Sequence, residues 1–161
     1  MDTRPATPAD WPVLWPIWHR IVAAGDSYTW PPETGEAAAR DLWMLPPPAE
    51  VWVAVEDGVV VGTALLKPNQ PGLGDHVANA AFMVDAAVAG RGVGRRLAER
   101  ILARAAETGY TAMQFNAVVA SNTRAVRLWR SLGFTIVGTV PDAFRHREHG
   151  PTDLHVMYRK L

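Results

Sequence analysis

Two hydrophobic rhythms exchange places along this chain of 161 residues. After an extended start around residues 4–7, Trp11, Trp15 and Trp18 recur at helical spacing behind a candidate cap at Asp10. This predicts an amphipathic helix to about residue 24, with its indoles on the core or at a homodimer contact. Pro16 lies inside it and should kink it or end it early. Residues 25–32 are turn-rich, and a second helix is expected over 33–44, stopped by Pro46-Pro47-Pro48. Period-two and β-branched runs then predict strands at 51–56 and 59–66, joined through Asp57-Gly58, a strong hairpin signal. Residues 67–75 read as a loop and 77–84 as a buried strand.

Beyond Gly90-Arg91-Gly92-Val93-Gly94 the rhythm becomes helical over 93–108, with Val93, Leu97, Ile101 and Ala105 on one face and Gly109 as a C-cap. A strand over 111–119 follows, then a helix capped by Asn122 and ending near Leu132-Gly133. Two last strands, 134–140 and 154–160, are expected to flank a loop carrying His146 and His149. No repeat or linker interrupts this order, which reads as one α/β domain.

Composition narrows the chemistry. Hydrophobic residues make up 48% and charged residues 20%, an ordinary globular balance, and the formal net charge is zero. No global attraction to nucleic acid or an anionic membrane follows from it. Without cysteine there is no disulfide, zinc thiolate or cysteine nucleophile, and no metal is expected. The first residues lack a signal-type apolar stretch, and no run approaches the roughly 18 apolar residues of a membrane span, so a cytoplasmic protein is the expectation.

The strand, glycine turn and helix at 77–108 read either as a ready phosphate site or as a tight turn whose glycines serve packing alone. Glycines permit close approach of a ligand, and the first helical amides lack intrahelical partners. Arg91, Arg95 and Arg96 add charge nearby. The dinucleotide pattern G-x-G-x-x-G fails, because its last position is Arg95 or Leu97, and no P-loop is present.

The run Val84-Asp85-Ala86-Ala87-Val88-Ala89-Gly90-Arg91-Gly92-Val93-Gly94 resembles the acetyl-CoA motif of the GNAT acetyltransferase superfamily, Arg/Gln-x-x-Gly-x-Gly/Ala. The run from Asn122 to Gly133-Phe134 resembles that superfamily's later helix, Asn-x-x-Ala-x-x-Leu-Tyr-x-x-x-Gly-Phe. The resemblance implies a GNAT fold: a mixed sheet of about six or seven strands, splayed parallel strands at its centre, and about four flanking helices. It implies acetyl-CoA as cosubstrate, with pantetheine on the main chain near Met83 and Val84. The diphosphate would rest on amides from Ala89 through Gly90, Arg91, Gly92, Val93 and Gly94 to Arg95, and Val84 N–H would face the acetyl carbonyl.

This sequence departs from the motifs at Ala89, where Arg or Gln is usual, and at Trp129, where many members carry a tyrosine that protonates the departing thiolate. An indole cannot usefully release a proton near neutral pH, so Trp129 is left as core filler or cofactor contact.

Base candidates are few. Asp85 and the two histidines read as surface groups. Asn79 and Asn116 sit in apolar strands, where an amide requires a partner. Together with Asn122 they resemble asparagines of proline-analogue (azetidine-2-carboxylate) acetyltransferases, and Pro141-Asp142-Ala143-Phe144-Arg145-His146 is similar to phosphinothricin acetyltransferases. These resemblances imply a small amino-acid-like amine, oriented by Asn79 and Asn116 and walled by Tyr28, Thr29 and Phe144, with Asn122 contacting pantetheine or the reacting centre. A peptide N-terminal acetyltransferase and a non-catalytic acyl-CoA-binding module are the alternatives.

Overall fold

Asp57 and Gly58 both adopt left-handed backbone, at φ 51° and 79°, as a two-residue hairpin turn requires. They belong to a computed structural model that describes residues 1–161. In chain order the elements are β1 (Asp2–Pro5), α1 (Trp11–Ala23), α2 (Glu36–Trp43), β2 (Glu50–Glu56), β3 (Val59–Pro68) and β4 (Val77–Val84). They continue with α3 (Val93–Glu107), β5 (Ala112–Val119), α4 (Thr123–Ser131), β6 (Thr135–His146) and β7 (Gly150–Lys160). The strands form one mixed sheet ordered β1-β2-β3-β4-β5-β7-β6, in which only β4 and β5 run parallel. This is the α/β architecture that the sequence implied. No helix is long and apolar enough to cross a membrane.

The sheet divides the core in two. On one face, α3 presents the predicted stripe of Val93, Leu97, Ile101 and Ala105, and Trp129 of α4 joins it. On the other, α1 and α2 contribute Leu14, Trp18 and Trp43 against Val53, Leu65 and Met83. Gly109, at φ 92°, closes α3 with bonds from Gly109 N–H to Ala106 and from Tyr110 N–H to Ala105, the Schellman pattern.

Two expectations are revised. Pro16 does not end α1 early, since the helix runs on to Ala23. Pro12 and Pro16 both lie on the exposed face, where water can satisfy the carbonyl that Pro16 leaves without a donor. The last two strands are also longer than their apolar runs: β6 reaches a buried His146 and turns through residues 147–149. His146 Nδ1 accepts N–H bonds from Glu148 at 3.1 Å and His149 at 3.2 Å, so His146 shapes a tight turn rather than a loop. That turn is tied to the end of α1, because Arg147 donates its N–H to the Gly25 carbonyl and its guanidinium to the Ala23 carbonyl.

Candidate active site

The central parallel ladder is short. β4 and β5 pair at Val77–Ala112 and Ala78–Met113, and then separate. A register shift in β5 between Phe115 and Val118 explains the parting, since a bulge bends its strand and increases local twist. Asn79 sits at the fork and donates from Nδ2 to the Gln114 carbonyl at 2.9 Å, spanning the point where the ladder stops. Above it opens a cavity of about 610 Å³ that reaches both faces of the sheet.

The main chain of β4 is divided by parity. Asn69 N–H bonds to Val77 carbonyl, and Asp85 N–H to Val61 carbonyl. In an antiparallel ladder this directs the odd-numbered residues of β4 toward β3 and leaves Ala80, Phe82 and Val84 facing the fork. Val84 is therefore available as expected. Met83 is not: its main chain belongs to the ladder with Thr63 and its side chain is fully buried.

Phe82 takes its place at the fork, with both of its polar main-chain groups occupied by Tyr28. The Tyr28 hydroxyl donates to the Phe82 carbonyl at 2.7 Å and accepts from the Phe82 N–H at 3.1 Å. Burial pushes this phenol well above the ordinary tyrosine range, with a smaller opposing effect from the Phe82 bond. A column of aromatic rings fixes it. Tyr28 stacks on Trp30 at 5.1 Å, Trp30 on Trp18 at 5.4 Å, and Trp18 on Trp15 at 6.1 Å. The three tryptophans of α1 thus pack inward and set the loop that carries Tyr28.

On the α3 side, Gly90 and Gly92 adopt φ 84° and 79°, a conformation that L side chains rarely accept. The amides of Gly90, Gly92, Val93, Gly94 and Arg95 have no acceptor in the protein, and the helix dipole adds partial positive charge there. A Cβ on Gly90 would meet nothing within 4 Å, so the turn is open to a ligand. The nearby arginines are partly engaged: Arg91 and Arg96 both reach Glu56, at 3.1 and 2.8 Å, while Arg95 bonds Ser131 Oγ at 2.6 Å. Two of the expected amides are not free: Ala89 N–H bonds to the Ala86 carbonyl at 3.1 Å and Arg91 N–H to the Val88 carbonyl at 3.3 Å, so neither amide belongs to the cradle.

The cavity gathers Tyr28, Thr29, Asn79, Asn116, Asn122 and Trp129. Asn122 caps α4, accepting from Ala125 N–H at 3.1 Å, and its Nδ2 has no protein partner. Trp129 fills core against Phe82 and Phe115, at 5.1 and 4.7 Å, while one part of it lines the cavity. Both roles considered for it are therefore structurally open.

Asn79 is half-buried, but Asn116 is exposed rather than buried, because the β5 bulge turns it out of the ladder. Both have partners: Gln114 Nε2 donates to Asn116 Oδ1 at 2.9 Å, and Asn116 Nδ2 donates to Asn69 Oδ1 at 2.7 Å. Phe144 is not brought to this site. It packs with Val119 and Leu154 in a separate small cluster.

Sequence reasoning missed Lys67, Phe82 and Phe115 in the lining. Two hydrophobic neighbours gave no chemical signal, and Lys67 was assigned to a loop although β3 extends to Pro68.

The acetyltransferase (GNAT) family profile matches residues 15–134, and the chain belongs to that family. A GCN5-related N-acetyltransferase from Kribbella flavida is 52% identical, with a TM-score of 0.95 over 99% of this chain and 97% of that one. yncA from Salmonella typhimurium, solved with its cofactor acetyl-CoA, is 27% identical, with a TM-score of 0.83 over 100% of this chain and 94% of that one. Among curated proteins, the N-acetyltransferase aca1 of Schizosaccharomyces pombe is 37% identical over 98 residues, 60% of this chain and 47% of that protein. The chain thus spans about half the length of that relative.

The residues present fit acetyl-CoA. Unpaired amides at the head of α3 suit a diphosphate, and the outward main chain of β4 suits an amide-bearing arm.

Proposed function

We propose that the protein is an acetyl-CoA-dependent N-acetyltransferase acting on the amine of a small amino-acid-like molecule. The observation that carries this reading is the cavity through the fork. It runs from Asn122, Ala125 and Trp129 of the α4 side on one face to a pocket on the other, lined by Tyr28, Trp30, Leu42 and Leu45. That lining favours a small acceptor over an extended peptide. The likeness to proline-analogue and phosphinothricin acetyltransferases is part of this proposal.

When bound, acetyl-CoA supplies an acetyl group activated as a thioester. The amides of Gly90, Gly92, Val93, Gly94 and Arg95 hold the diphosphate, and the main chain of β4 aligns the arm leading to the fork. Val84 N–H polarises the thioester carbonyl as an oxyanion donor. Asn79 and Asn116 orient the acceptor so that its neutral amine attacks the carbonyl carbon. The new C–N bond replaces the C–S bond, the amine proton leaves to water, and CoA departs as its thiolate. Asn122 faces the reacting end from the head of α4. Positioning carries most of the rate, with Asp41 the one carboxylate in the lining.

The test is thiol release from acetyl-CoA with paired panels of free amino acids, including azetidine-2-carboxylate and phosphinothricin, and of peptides with free N-termini. Higher kcat/KM on the free amino acids is expected. Preference for peptides would favour an N-terminal acetyltransferase, and tight CoA binding without thiol release would favour an acyl-CoA-binding module.

A further inference from the structure

The lining of the cavity holds a single cation, Lys67, and a single carboxylate, Asp41. Lys67 is half-buried near the end of β3 and takes part in none of the ion pairs of the molecule. Every arginine in an ion pair lies outside this lining. Asp41 lies on exposed α2 surface and does not pair with Lys67.

The surroundings of Lys67 are specific. It lies directly opposite Asn79 in the β3–β4 ladder, and opposed residues in such a pair have Cβ atoms about 5 Å apart on the same face. That face is the one covered by α1 and α2, because Leu65 and Ala81, two positions along each strand, pack into that half of the core. The amides of Asn69, Gln114 and Asn116 are bonded to one another beside it. Amides donate and accept but carry no charge. An ammonium set among them, in no ion pair and partly withdrawn from water, is matched by an anion small enough to enter the cavity.

We infer that Lys67 is the specificity-determining residue of the acceptor pocket and binds an anionic group, a carboxylate or phosphinate, on the same small molecule whose amine is acetylated. This rests on the small-acceptor reading above and makes it narrower. The free acid is required, and a peptide N-terminus, whose first residue carries an amide where the carboxylate was, is excluded by chemistry as well as by size. The amide row sets the plane of the anion, while Lys67 supplies the charge.

The test compares acetylation of azetidine-2-carboxylate, proline, methionine and phosphinothricin with that of the same amines carrying a carboxamide in place of the carboxylate. Wild type and the Lys67→Met and Lys67→Arg variants are assayed alongside CoA affinity and melting temperature as controls. A charge-assisted hydrogen bond supports a preference of about 10- to 100-fold for the free acid in kcat/KM. Lys67→Met should lose that preference by weakening turnover of the acid far more than that of the carboxamide, with CoA affinity unchanged, and Lys67→Arg should restore part of it.

Equal turnover of acid and carboxamide by wild type, or a preference that survives in Lys67→Met, would overturn the inference and leave the small-amine reading standing. Absence of thiol release with every amine, in a protein that binds CoA, would sink both.

Discussion

Replacing Tyr28 by Phe isolates one hydroxyl at the fork. The ring can keep its parallel stack on Trp30 at 5.1 Å, so packing is nearly conserved. The Phe82 carbonyl and N–H lose the partners they have at 2.7 and 3.1 Å. Leaving a buried polar group unsatisfied costs about 1–3 kcal/mol, but this cavity admits water, so about 1–2 kcal/mol for the pair is the expected loss. For a domain of this size that lowers Tm by roughly 2–8 °C.

The same two groups lie where the arm of CoA should run. A ligand that displaces the Tyr28 hydroxyl must break both bonds in wild type and neither in the variant. Linkage then requires Tyr28→Phe to bind CoA more tightly by the amount it lost in stability, roughly 5- to 30-fold. Urea unfolding with and without saturating CoA, paired with calorimetry, measures both quantities. Equal stability of variant and wild type, or destabilisation without a gain in CoA affinity, would refute the reasoning.

Asn79→Ala should lower amine turnover about 10-fold or more with CoA affinity nearly intact, because it frees the Gln114 carbonyl at the fork. Asn79→Asp should be worse, since a carboxylate cannot donate to that carbonyl, and steady-state kinetics on both variants check the order. Gly92→Ala places a Cβ at φ 79° and 3.4 Å from the Arg96 guanidinium. Backbone strain of about 1–2 kcal/mol is expected, with weaker CoA binding, read by denaturation and calorimetry.

Asp10 is held well below the usual carboxylate range, chiefly by its hydrogen bonds from Arg4, at 2.7 and 2.9 Å, against an opposing effect of burial. A depressed pKa stabilises the fold above the unfolded value and is lost as pH falls through the folded one. Asp10→Asn should therefore cost about 1–3 kcal/mol at pH 7, with the gap to wild type narrowing only below about pH 4 in urea titrations across pH.

The order of elements was legible in the sequence because each rests on local signals. Period-two runs flank Asp57-Gly58, a helical stripe begins at Val93, and Asn122 stands where an N-cap belongs. The glycine turn was equally readable, since left-handed backbone at Gly90 and Gly92 is a demand that residue type answers directly. What composition and spacing could not decide was which groups meet.

That Met83 is committed to β3 while Phe82 faces the fork is a matter of ladder parity, fixed by the register with β3. Asn116 is exposed because β5 bulges, and Phe144 is drawn into a different cluster by Val119 and Leu154. Tyr28 reaches Phe82 across 54 positions of chain because a column of tryptophans holds its loop, and Lys67 meets Asn79 only through strand pairing. Local propensity settles the conformation of a segment. Contacts between distant segments are set by the register and packing that minimise unpaired main chain and exposed apolar surface over the whole sheet, and the site of this protein is made of those contacts.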